Sequence, residues 1–202
     1  MIKKIWPIRL PDMDHETLAK LVFCFENDPE RSDGIISGAQ DSIGICMPGL
    51  VRHYYDKLYW PIKIETCKED TILDWLESHL IMIPMEPRRQ GCSVVEGKDI
   101  TEPKVKDLAK AADSCWNAIM NKDLTAFAAA YKASFNAQTA MFPAMIQGSV
   151  QDYIDKYSAL DDVLAWKMPG AGGGGYLACV VKDASTFFQN HPEAITLKIR
   201  RK

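Results

Sequence analysis

The sequence predicts an α+β fold, a ferredoxin-like layer sandwich with helices over one face of an antiparallel sheet. Three observations predict it. From about residue 80 the apolar pattern runs strand, helices, strand, strand, helix, strand. Between residues 103 and 140 apolar side chains recur at helical spacing through two long segments. Finally, Gly170, Gly172, Gly173, Gly174 and Gly175 lie between two short apolar runs, 163–166 and 176–181, that read as buried strands.

Taken in order, residues 1–13 carry Pro7 and Pro11 and read as an extended opening strand. Asp14 is placed to cap a helix over 15–25, in which Leu18, Leu21, Val22 and Phe25 share one face. A polar connection with Pro29 leads to segment 34–49. That segment is apolar enough to be buried, yet it holds Ser37, Gln40, Asp41 and Ser42 in its middle. A buried carboxylate needs a partner or a chemical task; the plain alternative is that Asp41 caps a helix. Alternation predicts strands over 51–55 and 59–65, with a turn at Asp56 and Lys57. A helix over 69–80 repeats Ile72, Leu73, Leu76 and Leu80. A buried strand at 81–85 and an exposed loop with Arg88 and Arg89 come next.

Helical spacing then covers 103–121, with Thr101 as N-cap, and 124–140, where Phe127, Tyr131, Phe135 and Gln138 share a face. Met141, Phe142, Pro143 and Met145 read as a helix break packed under the sheet, and a third helix covers 150–158. Strands at 163–168 and 176–182, a short helix at 184–189 and a terminal strand at 195–201 complete the chain.

With 202 residues, 25% charged and 47% apolar, the chain can bury a core as one domain or two small ones. A net charge of -3 argues against a bulk nucleic-acid or membrane-surface binder. The six cysteines are dispersed, no signal peptide is visible, and no apolar run approaches the ~20 residues of a membrane span. These features predict a cytoplasmic protein with reduced thiols. His15, His53, His79 and His191 show no metal-ligand spacing and read as surface or capping residues, so no metal site is expected from them. Trp60, Trp75, Trp116 and Trp166 read as core anchors, with Trp60, Tyr54, Tyr55 and Tyr59 as an alternative sugar platform.

Two demands fit the glycine cluster: backbone at positive φ, or close approach by another group. Its N–H groups, with Lys167 beside them, would also make a concave anion cradle. A flexible hairpin connection is the plainer reading.

Two motifs together bring a family into view. The segment Ser37, Gly38, Ala39, Gln40, Asp41 resembles the Ser/Gly-Gly-x-x-Asp motif of the GHMP kinases, which include galactokinase, homoserine kinase, mevalonate kinase and phosphomevalonate kinase. Residues 167–175, Lys-Met-Pro-Gly-Ala-Gly-Gly-Gly-Gly, are similar to that family's third motif. The heptose 7-phosphate kinase and fucokinase branch carries similar versions of 166–177 and of the Met-Phe-Pro-x-Met segment at 141–145. Pro169 departs from the family's Ser or Thr and removes a hydroxyl beside the loop. A larger departure is that no Pro-x-x-x-Gly-Leu-Gly-Ser-Ser-type phosphate loop is present; the other glycines stand singly.

The resemblance implies a remnant of the kinase N-terminal domain over 1–78 and a GHMP C-terminal α+β domain over 79–202. It implies Asp41 as the catalytic carboxylate facing the acceptor hydroxyl, oriented by Ser37 and Gln40. Arg88 would hold a substrate phosphate, a solvated surface arginine being the alternative. Lys167, Gly170, Gly172, Gly173, Gly174 and Gly175 would lie near the nucleotide phosphates. ATP and Mg²⁺ are the implied cofactors, a sugar or sugar phosphate the implied substrate, and a separate N-terminal half or a homo-oligomer the implied partner. Nucleic acid and membrane are not. Three functions remain open: part of a sugar kinase inactive alone, a non-catalytic binding or regulatory module, or an orphan fragment with an exposed apolar face.

Overall fold

A computed structural model describes residues 12–30, 36–88 and 96–202. The predicted opening strand, apart from its last two residues, and Arg89 lie outside the described residues. The chain divides into two compact units, one up to Lys68 together with Arg200–Lys202, the other Glu69–Ile199.

The first unit pairs two helices with a hairpin. Helix α1 (His15–Glu26) starts where predicted, because the Asp14 carboxylate accepts the Thr17 backbone N–H at 2.8 Å and the Thr17 hydroxyl at 2.7 Å. Helix α2 spans Gln40–Cys46. Strands β1 (Leu50–Tyr54) and β2 (Lys63–Cys67) are antiparallel, in register from Leu50 opposite Cys67 to Tyr54 opposite Lys63. The second strand begins later than alternation suggests, since Pro61 has no N–H to give a ladder and Ile62 is 64% exposed. Ala19, Val22, Ala39, Ile43 and Cys46 form the small core, with Phe23 and Trp60 packed against it. On α1 the buried face is therefore Ala19 and Val22; Phe25, expected inside, is 41% exposed.

The second unit has the predicted order. Helix α3 (Asp70–His79) and strand β3 (Leu80–Pro84) are followed by α4 (Glu102–Met120) and α5 (Leu124–Met141). A 3₁₀ turn, Pro143–Met145, then precedes α6 (Val150–Ser158), β4 (Val163–Lys167), β5 (Tyr176–Val181), α7 (Ala184–Asn190) and β6 (Ile195–Thr196). The sheet order is β4-β5-β3-β6, every neighbour antiparallel. This is the split arrangement of a ferredoxin-like sheet. Central strand β5 is buried from Leu177 through Val181. Around it gather Ile81 and Ile83 of β3, Phe135 of α5, Met145 of the 3₁₀ turn, Ile154 and Tyr157 of α6, and Phe187 of α7.

The terminal strand is shorter than predicted. After Thr196 the chain leaves β3, and Glu77 of α3 accepts the Ile199 N–H at 2.7 Å and the Lys198 amine at 3.0 Å. Among the described residues no helix is long and apolar enough to cross a membrane.

Candidate functional site

The first unit holds an open cleft of about 560 Å³, lined by Glu26, Gln40, Asp41, Gly44, Ile45, Met47, Gly49, Val51 and His53. Each element contributes for a simple reason. Glu26 is the last residue of α1, and Gln40, Asp41 and Gly44 fall along one side of α2. Val51 and His53 are two apart on β1 and so share a face. Arg52, on the other face, sits with its guanidinium 4.6 Å from the Tyr54 ring centre and 3.8 Å from Glu65.

Asp41 is exposed, which corrects the expectation of a buried carboxylate. The fully buried polar residue of this segment is Ser42, whose hydroxyl donates to the Ala39 carbonyl at 2.9 Å. Asp41 instead stands in the first turn of α2, where a negative charge is favoured, and it is not the N-cap, which is Ala39. Gln40 and Ser37 are exposed as well. The Ser37 backbone is fixed by the Asn27 side chain, whose Oδ1 accepts the Ser37 N–H at 2.7 Å and whose amide donates to the Ser37 carbonyl at 3.3 Å. So the Ser37 backbone is anchored while the side chains of Ser37, Gln40 and Asp41 stay exposed.

His53, expected as a surface or capping residue, is half-buried on β1. Its Nε2 is shut off from solvent and has no hydrogen-bond partner among the described residues. Burial holds its imidazole below the ordinary histidine value, toward the neutral form. The signal that would have found it is the two-residue period of β1, which puts His53 beside Val51.

The second unit holds the glycine loop, and both steric demands are met there. Gly170, Gly172, Gly173, Gly174 and Gly175 all have positive φ. A Cβ on Gly172 would lie 2.8 Å from the Met145 Cβ, and one on Gly174 would lie 2.6 Å from the Glu86 carbonyl oxygen. The approaching groups are the protein's own residues, Met145 on Gly172 and the 86–88 backbone on Gly174. The Gly173 N–H donates to Met145 O at 2.9 Å, the Gly175 N–H to Glu86 O at 2.9 Å, and the Met85 N–H to Gly175 O at 2.8 Å. Arg88 joins this knot, its Nε donating to the Gly172 carbonyl at 3.0 Å.

Lys167, expected near the nucleotide phosphates, bonds within the second unit. Its amine donates to the buried Ser134 hydroxyl of α5 at 2.6 Å. Burial lowers its pKa, an effect partly opposed by Cys115 of α4, whose own thiol burial pushes up to about 11. Two of the loop's N–H groups and the lysine are thus committed internally. Among the described residues no group of three or more His, Cys, Asp or Glu could hold a metal ion. Asp41, Gln40 and the cleft belong to the first unit; Arg88, Lys167 and the glycines belong to the second.

No family model matches the chain, and no curated protein matches it by sequence. Its fold does have counterparts. It is similar to a candidate sugar kinase from Campylobacter jejuni, with a TM-score of 0.64 and 15% identity, over 98% of this chain and 59% of that one. A mevalonate kinase gives a TM-score of 0.66 at 13% identity, over 95% of this chain and 59% of that one. A D-glycero-D-manno-heptose 1-phosphate kinase from Bacteroides thetaiotaomicron gives 0.56 at 14%, over 95% and 53%. At these identities the likeness concerns the fold. The chain spans between half and three-fifths of the length of these structures.

Proposed function

We propose that this chain is the acceptor-side part of a GHMP-type sugar kinase, which phosphorylates a sugar hydroxyl when a segment bearing an ATP phosphate loop completes the site. The observation that carries this reading is Asp41 on the wall of an open cleft, in a chain folded like sugar and mevalonate kinases. The Asp41 carboxylate would accept a hydrogen bond from the reacting hydroxyl and receive its proton, a contribution of about 10²–10⁴-fold for a well-placed base. Gln40 and the Asn27-held Ser37 would orient the sugar. The glycine loop would shape the second unit by letting segments 86–88 and 143–145 close on it, without itself holding phosphate. ATP would supply the phosphoryl group. The working compartment would be the cytoplasm, in keeping with free Cys24, Cys46, Cys67, Cys115 and Cys179.

A second reading, a non-catalytic binding module, draws support from the internal commitment of Lys167 and the glycine N–H groups. One experiment separates them. The chain is expressed with the polypeptide encoded directly upstream, and ATP-dependent phosphorylation is assayed against a panel of hexoses, heptoses and their phosphates. Transfer to a sugar, lost at least a hundredfold in Asp41→Asn, supports the kinase reading. Transfer undiminished in that variant, or sugar binding with no transfer to any member of the panel, overturns it in favour of the binding module.

A further inference from the structure

We propose that Lys167 is a covalent acylation site, whose half-buried amine takes a short acyl group from an activated donor, an acyl phosphate or an acyl thioester. The site lies in the second unit and does not depend on the kinase reading.

Charge points to it first. Lys167 ends the edge strand β4, and its amine donates to the Ser134 hydroxyl of α5 at 2.6 Å. Among the described residues the one titratable neighbour that acts on it is Cys115 of α4, and no carboxylate does. The elements around it explain why. Strands β4 and β5 and helix α5 contain no Asp or Glu. Glu102, Asp107 and Asp113 of α4 and Asp152 and Asp155 of α6 are all exposed. Segment 89–95, outside the described residues, contains neither Asp nor Glu. The other titratable groups of this seam stay neutral at pH 7. Burial pushes the thiols of Cys115 and of Cys179 on β5 up to about 11 and about 12, and raises the Tyr131 hydroxyl of α5 as well. An ammonium here would have a hydroxyl dipole beside it and no counter-charge, so burial favours the uncharged amine.

Chemistry follows from that. An uncharged lysine amine is a nucleophile, and a solvated surface ammonium is not. The Lys167 nitrogen attacks the carbonyl carbon of the donor and the C–N bond forms. The bond from that carbon to phosphate oxygen or thioester sulfur breaks, and the leaving group departs with the electron pair. Water takes the proton lost from nitrogen. The product suits the seam better than the ammonium does: no charge is buried, and the remaining amide N–H still has the Ser134 oxygen to donate to. Access is retained, since Lys167 is half-buried on an edge strand rather than sealed. Ser134, 6% exposed, leaves little open space beside the nitrogen, which selects a short acyl chain.

The test is peptide mass spectrometry of the full chain after incubation at neutral pH, with acetyl phosphate in one arm and acetyl-coenzyme A in the other. Acetylation of Lys167 is expected to run about fivefold or more faster than that of exposed Lys110 and Lys122, and the faster arm identifies the donor. Ser134→Asp sets a carboxylate where the hydroxyl is, and should slow Lys167 about tenfold while Lys110 and Lys122 keep their rates. A rate at Lys167 no greater than at the two surface lysines in both arms, or one undiminished in folded Ser134→Asp, overturns the inference. If that variant does not fold, the pH dependence of the wild-type chain decides. The Lys167 rate should level off at a lower pH than the Lys110 rate, and coincident profiles overturn the inference.

Discussion

The acidic cleft and the glycine loop carry the two motifs that stand out in the sequence, and they dispose of their polar groups differently. In the cleft, Asp41, Gln40 and Ser37 are exposed, on a scaffold fixed by Asn27 and by the small core under α2. In the loop, N–H groups, carbonyls and the adjoining lysine bond to the protein's own Met145, Glu86, Arg88 and Ser134. A glycine run beside a lysine thus need not be an anion site: the same residues satisfy a backbone that must turn left-handed while two other segments press on it. Under the proposed function, chemistry toward a ligand would fall to the less conspicuous motif.

The sharpest way to break this contrast is to add one carbon to the loop. Gly172→Ala should cost about 3 kcal/mol in urea unfolding, combining positive φ with overlap on Met145. Gly170→Ala has the same backbone sign but nothing within 4 Å, and should cost only about 1 kcal/mol. Equal effects would mean that close approach contributes nothing. Asp41→Asn should behave in the reverse manner, with transfer down at least a hundredfold and the melting temperature within about 2 °C of wild type. A melting temperature that collapsed would make Asp41 structural. Ser134→Ala should destabilise by about 1–2 kcal/mol, because the half-buried Lys167 amine loses its acceptor; no change would return the lysine to a surface role.

Smaller effects sharpen the description of the second unit. The Asp183 carboxyl accepts from the Ser185 hydroxyl and the Thr186 N–H, which hold its pKa down at about 2. Its folded value lies below the unfolded one near 3.8, so its contribution to stability is complete above about pH 4 and is lost as pH falls through 2. Carboxyl-carbon NMR titration should place the midpoint there, and a midpoint near 4 would remove the cap. Finally, exposed Cys24 should react promptly with a thiol reagent, whereas Cys179, buried and pushed up to about 12, should react only on unfolding.

Much of the fold was readable because local signals agreed with tertiary ones. Asp14 and Asp183 sit where caps are needed, the long helices keep their spacing, and the glycine loop lies between its two strands. What was not readable depended on partners distant in sequence. The Lys167 bond to Ser134 spans 33 residues, and that of Arg88 to Gly172 spans 84. Segment 36–47 misled because its apolar residues are split: Ile43 and Cys46 are buried, while Ile36 and Ile45 are 46% and 54% exposed. Overall apolarity therefore suggested burial for an aspartate that the helix turns outward. His53 was read as a surface or capping residue because a lone histidine on a short strand carries no motif, and only the cleft sets it apart.

The most direct measurement is calorimetric titration of ATP·Mg²⁺ into the purified 202-residue chain, with and without sugar. No saturable heat is expected in the micromolar range under either condition, because the loop's Gly173 and Gly175 N–H groups and the Lys167 amine are already bonded within the protein. Micromolar nucleotide binding, abolished by Gly172→Ala at a temperature where that variant remains folded, would contradict it and make the glycine loop the phosphate site.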